Sequence, residues 1–437
     1  MEKQEGVIDA LDEQFYIYSF ELKNPQVEKY FNLEEEEIKY FNGWQNEGLF
    51  SYLNQRMGEF KNQFFLDSDF QIVNQNIEDG KLNVYFQTTS KNTDPLREFL
   101  NQSIRDYYSM RELHITRMFG SYILLQRENG KLRAVRATPI PIQYCPLMVK
   151  LLKEVGGEYA DTLLETLKTE DEHLQTEMMC NLINEIVIKG GYFDTNRPLN
   201  SCEANVLFGA SETISSAFKS NLIDAAVIVS NNLGTIITTN DLNTQGAVKR
   251  MTGLFYTSPS EKLVNTAVAS GIIPVFPYTA TIDQVVGVKE AMKRGYKRIA
   301  VSVAAGDNYL LKDLKELETD GVILYKFGLC STGINKETAL IMKENADVVW
   351  SCASKYVKEM IEPNSIVQVG IKIPVHVMTE KGWEIVKNHL SYMNFEDINL
   401  KTGCGEEKPV IFNEKGKMKT LTKKKIHNCT DCPHPCV

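Results

Sequence analysis

The sequence predicts an α/β protein: a mostly parallel sheet flanked by helices, preceded by an α+β N-terminal region and followed by a small cysteine-rich metal-binding tail. Three observations predict it. Between 201 and 395, short apolar runs alternate with helical stretches, which implies a parallel sheet covered on both faces. Up to about residue 110 the chain is acidic and aromatic, with a hairpin pattern in place of that alternation. Four of the nine cysteines, Cys404, Cys429, Cys432 and Cys436, fall in the last 34 residues. The boundaries read from these shifts are 1–110 (α+β), 111–200 (hairpin plus helices), 201–395 (a Rossmann-like ligand-binding domain) and 396–437 (the tail).

In the first segment, Glu34 to Glu37 open a helix-like stretch running to about Phe64, with Ile38, Phe41, Trp44, Phe50 and Leu53 as its apolar positions. The acidic run suits the positive end of a helix dipole or a docking surface. Phe70-Gln71-Ile72-Val73 and Leu82-Asn83-Val84-Tyr85-Phe86 flank Asp79-Gly80, a hairpin signal because that pair accepts positive φ cheaply. A second hairpin pairs Tyr122 to Leu125 with Leu132 to Val135 across Asn129-Gly130. His114 and Arg117, just before it, are candidate anion-binding groups, since arginine offers a fork of donors and histidine a switchable one; both also fit an ordinary surface. Residues 151–189 read as helical, with Leu174, Met178, Leu182 and Ile186 on one face and Gly190-Gly191 as the stop.

In the third segment the expected strands are Val206–Phe208, Ala225–Val229, Thr235–Ile237, Ile272–Phe276, Ile299–Val303, Val322–Phe327, Val348–Trp350, Val367 and Val375–Val377. The first β-α-β unit spans Val206 to Gly234. Ligands of such sheets bind at the carboxyl ends of the strands. The candidate ligand-binding residues there are Gly209, Ser211, Asn231, Asn232, Thr257 and Ser258, beside His114 and Arg117. Gly209 to Glu212, at a helix start, suits a phosphate or carboxylate held by backbone N–H groups. Glu212 opposes a highly charged ligand and suits a general base. Cys330 and Cys352 follow strands and fit a nucleophile, two metal ligands, or inert buried thiols. The Walker and complete dinucleotide glycine patterns are absent.

The tail carries the sharpest chemical signal. Cys429-x2-Cys432-x3-Cys436 with Cys404 upstream supplies four thiolates, fitting a [4Fe–4S] cluster or a structural zinc. Pro433 after Cys432 leans toward the cluster, and a three-cysteine cluster with Cys404 elsewhere is a further arrangement. Net charge is −9, which argues against nucleic acid as the main partner. The start shows no apolar signal core and no apolar run reaches a membrane span, so a cytoplasmic location without membrane contact is expected.

From about Glu112 to His389 the chain resembles the methanogenesis marker protein 8 family. The stretches that carry the resemblance are His114-Ile115-Thr116-Arg117, Tyr144-Cys145-Pro146-Leu147, Phe208-Gly209-Ala210-Ser211-Glu212, Asp224-Ala225-Ala226-Val227, Gly234-Thr235, Met251-Thr252-Gly253-Leu254, Thr257-Ser258-Pro259, Asp283-Gln284-Val285, Ile299-Ala300-Val301 and Cys352-Ala353-Ser354. The resemblance implies an anaerobe and a setting in one-carbon or methyl-coenzyme M metabolism. It implies no established reaction and transfers no catalytic residue. The expected function is an oxygen-sensitive iron–sulfur enzyme of sulfur or electron transfer on a small anionic or thiol substrate, with Cys330, Cys352 and Glu212 as catalytic candidates and an electron donor or other protein as a possible partner. The alternative is a non-catalytic maturation or assembly partner with a structural zinc tail.

Overall fold

The computed structural model describes residues 112–128, 131–142, 171–203, 206–249, 253–319, 321–371, 373–393 and 408–422, with shorter stretches at 14–21, 30–31, 52–57, 71–78, 81–88, 93–109 and 159–166 and single residues at 149, 153 and 169. Cys145, Cys404, Cys429, Cys432 and Cys436 lie outside the described residues, as do most of the expected helix at 33–64 and the turns 79–80 and 129–130. The chain divides into two compact units, residues 1–112 and 113–437.

In the first unit, β1 (Gln14–Glu21), β2 (Gln71–Glu78) and β3 (Lys81–Thr88) form an antiparallel sheet in the order β1-β3-β2. Alternation puts Leu82, Val84 and Phe86 on one face, where they pack with Tyr18, Leu53, Met57 and two residues of helix α1 (Asp94–Ser109), Leu96 and Leu100. Tyr18 ties the two layers by donating its hydroxyl to Thr93 Oγ1 at 2.6 Å.

The second unit holds two sheets. The smaller contains β4 (Leu113–Met118), β5 (Ser121–Glu128), β6 (Lys131–Ala137) and β9 (Gly253–Thr257), antiparallel in the order β6-β5-β4-β9. Helices α2 (Tyr159–Thr166) and α3 (Glu172–Ile183), the latter continued by a π turn over Asn184–Ile188, supply Ala160, Met179, Leu182, Ile183 and Val187 to its core.

The larger sheet contains β7 (Ala225–Ser230), β8 (Gly234–Thr238), β10 (Ile273–Pro274), β11 (Arg298–Ala304), β12 (Ile323–Leu329), β13 (Val348–Trp350), β14 (Val367–Val369), β15 (Val375–Val377), β16 (Pro409–Glu414) and β17 (Lys417–Thr422). Its order is β10-β8-β7-β11-β12-β13-β15-β14-β16-β17. It is a mixed sheet, which corrects the expectation of a mostly parallel one. The pairs β7–β11, β11–β12, β12–β13 and β14–β16 are parallel and the remaining five antiparallel. Tight connections cause the difference: three residues join β7 to β8 and two join β16 to β17, too few for a parallel crossover.

Helices cover both faces of the parallel centre. One face packs against α4 (Ala210–Lys219), α5 (Asp241–Val248), α6 (Glu261–Ala269) and α10 (Glu380–Ser391) through Ala226, Ile228, Ala300, Tyr325 and Phe327. The other packs against α7 (Gln284–Lys293), α8 (Leu310–Glu316) and α9 (Lys336–Asn345) through Val227, Ile299, Val301, Val303 and Leu324. Alternate residues of β11 therefore serve opposite cores, as a two-sided strand requires. Asn240, Ser260, Asp283, Asn335 and Thr379 cap α5, α6, α7, α9 and α10 with side-chain oxygens.

Two expected strands differ. Val206–Phe208 is a turn, with Val206 and Leu207 about half exposed, so the unit from 206 to 234 begins at α4 rather than at a strand. The run Ile272–Phe276 contributes only the two residues of β10, which pair with the outer side of β8.

Candidate functional site

Parallel β7, β11, β12 and β13 end on one edge, and the smaller sheet roofs it. β4 and β9 carry the ties. His114 Nδ1 lies 2.7 Å from Thr257 Oγ1, and that oxygen also accepts the Asn232 N–H at 2.9 Å. Ser258 exchanges hydrogen bonds with both backbone groups of Leu113. All of these candidate ligand-binding residues are buried, and the His114 ring packs on Phe193. The structure brings His114, Asn232, Thr257 and Ser258 into one network that joins the two sheets. Asn231 lies one residue away, donating to Tyr192 O.

Arg117 also joins the sheets. Its guanidinium donates to Cys330 O at 2.6 Å, Thr332 O at 2.5 Å and Gly120 O at 3.2 Å, and stacks over Tyr122. Its fork grips the turn after β12, where Cys330 adopts φ +56°. That left-handed conformation costs a non-glycine residue on the order of 1–3 kcal/mol unless its surroundings impose it. Gly253 on β9 leaves room for the sulfur, since a Cβ there would lie 3.2 Å from Cys330 Sγ.

Cys352 follows β13, the neighbour of β12. Its N–H donates to Ser331 Oγ at 2.8 Å, and that hydroxyl donates to Trp350 O. The two candidate thiols therefore belong to adjoining strand ends, are partly exposed, and form no disulfide. Cys180 is also partly exposed, and burial, then Glu177, push its thiol up to about 11.

Glu212 occupies the third position of α4. Its Oε1 accepts Val206 N at 3.0 Å and Gln245 Nε2 at 3.1 Å, and Oε2 accepts Ser211 Oγ at 2.7 Å. A Cβ on Gly209 would run into this carboxylate, although Gly209 itself is extended at φ −78°. The helix start thus already holds an anion of its own, and Glu212 serves the 206–209 turn as a capping group. Trp350 Nε1 donates to Phe208 O at 2.7 Å, and His389 Nε2 lies 2.9 Å from Leu207 O, latching the same turn from β13 and α10.

Beside this turn is a cavity of about 270 Å3, lined by Val206, Gly209, Ser211, Glu212, Ile228, Gln245, Lys249, Ser302 and Leu329 among others. It sits between α4, α5 and the carboxyl ends of β7, β11 and β12. Sequence reasoning missed Gln245, Lys249, Ser302 and His389, whose positions carry no local motif. It also missed Arg197, a buried guanidinium that donates to Ser230 Oγ and Asn231 O at the end of β7. Burial pulls Arg197 down to about 10. Among the described residues no group of three or more potential metal ligands occurs, and no helix is long and apolar enough to cross a membrane.

A family model described as "Uncharacterized protein conserved in archaea (DUF2099)" matches residues 114–391. Over 262 residues the chain is 35% identical to the uncharacterized protein MJ0054 of Methanocaldococcus jannaschii, covering 59% of this chain and 84% of that protein. The chain belongs to this archaeal family. The His114–Thr257–Asn232 tie, Arg117, both candidate thiols and the cavity lie within the matched residues, whereas the first unit and the terminal cysteines lie outside them.

Proposed function

We propose that this member of the archaeal family is an iron–sulfur protein of anaerobic metabolism, acting by sulfur or electron transfer on a small substrate, as the resemblance to the methanogenesis marker protein 8 family suggests. The substrate is held at the carboxyl edge of the large sheet, and Cys330 is the reactive thiol with Cys352 beside it. One observation carries the reading: Cys330 adopts a left-handed conformation at the end of β12, where Arg117 grips the carbonyls of Cys330 and Thr332, next to a cavity whose wall includes Leu329. Strained backbone gathers at functional sites. Glu212, saturated by three donors, acts in this reading as a structural group rather than a base.

Cys404, Cys429, Cys432 and Cys436 would hold the cluster, and four thiolates suit it chemically. The register of β16 with β17 supports treating them as one set. Pro409 pairs with Thr422, so the two ends of the hairpin lie side by side. Cys404 is five residues before Pro409 and Cys429 seven after Thr422, each within about 25 Å of extended chain. β16 runs in the same direction as β13, so these ends lie at the amino edge, opposite Cys330. When bound, the cluster supplies electrons or a structural tie.

Thiol reactivity tests the reading. Iodoacetamide at about pH 8 should modify Cys330 at least roughly ten times faster than Cys180, measured by peptide mass spectrometry. Equal rates would remove the nucleophile. A second reading, a docking or assembly protein with a zinc tail, is favoured by Phe15 and Ile17, which β1 exposes on one face of the first unit. Loss of function in Phe15→Asp/Ile17→Asp with Cys330→Ser silent would select it.

A further inference from the structure

The cavity beside the 206–209 turn restricts what charge its occupant can carry. We infer that it takes an uncharged, chiefly apolar small molecule with one hydrogen-bonding group, and not a phosphate or other anion. The inference rests on the proposed function only in taking this cavity as the substrate site.

Three observations carry it. First, the place where a helix start would receive a ligand anion is filled by the Glu212 carboxylate, which takes the Val206 N–H, the Ser211 hydroxyl and the Gln245 amide. A second anion there would face a charge with its donors already committed. Second, among the described lining residues the cation is Lys249, already paired with Glu203 at 2.5 Å. Among the described residues, Lys249 with Glu212 and Glu203 sums to one net negative charge, which opposes an anion and leaves a neutral molecule unaffected. Third, the walls are apolar. Val206, Ile214, Ile228, Val248 and Leu329 supply hydrocarbon on several sides.

The polar end of the ligand is assigned to Ser302. Ala300 faces the core shared with α4 and α5, and Val301 and Val303 face the opposite core, so alternation turns Ser302 toward the cavity. Its carbonyl is engaged by Gln284 Nε2 at 3.0 Å, which fixes the strand end and leaves the hydroxyl to meet a ligand hydroxyl or carbonyl. A volume of about 270 Å3 lies just below the usual range for drug-sized ligands, consistent with a compact metabolite.

The test is saturation-transfer NMR on the full chain with two probes of one shape, 3-methylbutan-1-ol and 3-methylbutanoate, and phosphorus line widths for inorganic phosphate. The alcohol should bind more tightly than the carboxylate by roughly ten-fold or more, and phosphate should show no broadening. Ser302→Leu and Val248→Phe each fill the cavity from a different element, and the alcohol signal should vanish in both. Equal or tighter binding of the carboxylate or of phosphate would overturn the inference. So would no binding of the alcohol, or binding that survives both substitutions. Iron content and the Cys330 alkylation rate, both measured on the unsubstituted protein, report on the proposed function separately.

Discussion

Gly209→Ala should destabilise the protein chiefly through Glu212, with a lesser contact of 3.2 Å to Val206 Cβ. Gly209 has φ −78° and ψ 157°, which alanine adopts without strain, so no backbone penalty arises. The new methyl group would instead collide with the Glu212 carboxylate. To escape, the carboxylate must leave at least two of its three donors, Val206 N, Ser211 Oγ and Gln245 Nε2. Hydrogen bonds to a charged group contribute about 1.5–3 kcal/mol each, and water recovers part of that, so a loss of about 3 kcal/mol is expected. Glu212→Ala should cost about 2 kcal/mol, because Ser211 and Gln245 can turn to water in the cavity. In the double variant the main collision partner is gone and the half-exposed Val206 can give way, so Gly209→Ala should add little, a coupling of about 3 kcal/mol. Urea unfolding followed by tryptophan fluorescence measures all three. Trp350 donates to Phe208 O and so reports on the turn itself. If the two single costs add to within about 0.5 kcal/mol, the carboxylate is not what Gly209 accommodates and the account of the turn is wrong.

Arg117→Lys should lower stability by roughly 2–4 kcal/mol, since an ammonium cannot span the carbonyls of Gly120, Cys330 and Thr332; a thermal unfolding curve matching the parent would refute the clamp. The same substitution should slow Cys330 alkylation, whereas Cys352→Ser should not. His389 is held below its ordinary value of 6.5, first by burial. The unfolded state then binds protons more readily, so the contribution of His389 is complete above 6.5 and is lost as pH falls below it. His389→Gln should flatten that acid-side loss in urea titrations, and an unchanged slope would remove His389 as its cause. Lys326→Met should cost about 3–5 kcal/mol, because it strands Asp347 and Glu318 beside a buried apolar chain; a cost below about 1 kcal/mol would show that Lys381 suffices for both.

Both early hairpins were legible because alternating apolar residues flank an Asp-Gly or Asn-Gly pair, a signal contained in under twenty residues. The parallel centre was legible from compact apolar runs: Ala225 to Val229 is unbroken, and Ile299 to Val303 is interrupted only by Ser302. What the sequence hid depends on distant partners. β9 looks like any strand of the large sheet, yet it pairs with β4, His114 opposite Thr257 from 143 residues earlier, and so turns four candidate residues into ties between sheets. Helix α3 buries Met179, Leu182 and Ile183, whereas Leu174 of the expected stripe is 37% exposed, because positions four residues apart drift about 40° round the helix at each step. Val206–Phe208 reads as apolar and β-like, and only the contacts from Glu212, Trp350 and His389 make it a turn. Cys330 and Cys352 were correctly referred to strand ends, but their adjacency required the pairing of β12 with β13.

The central claim is the iron–sulfur cluster, and metal content with ultraviolet-visible absorption of protein purified without oxygen tests it most directly. The account predicts about four irons with matching sulfide and a broad absorbance that air bleaches, all lost in Cys432→Ser. One tightly held zinc, no sulfide and no colour would contradict it and leave a structural tail in its place.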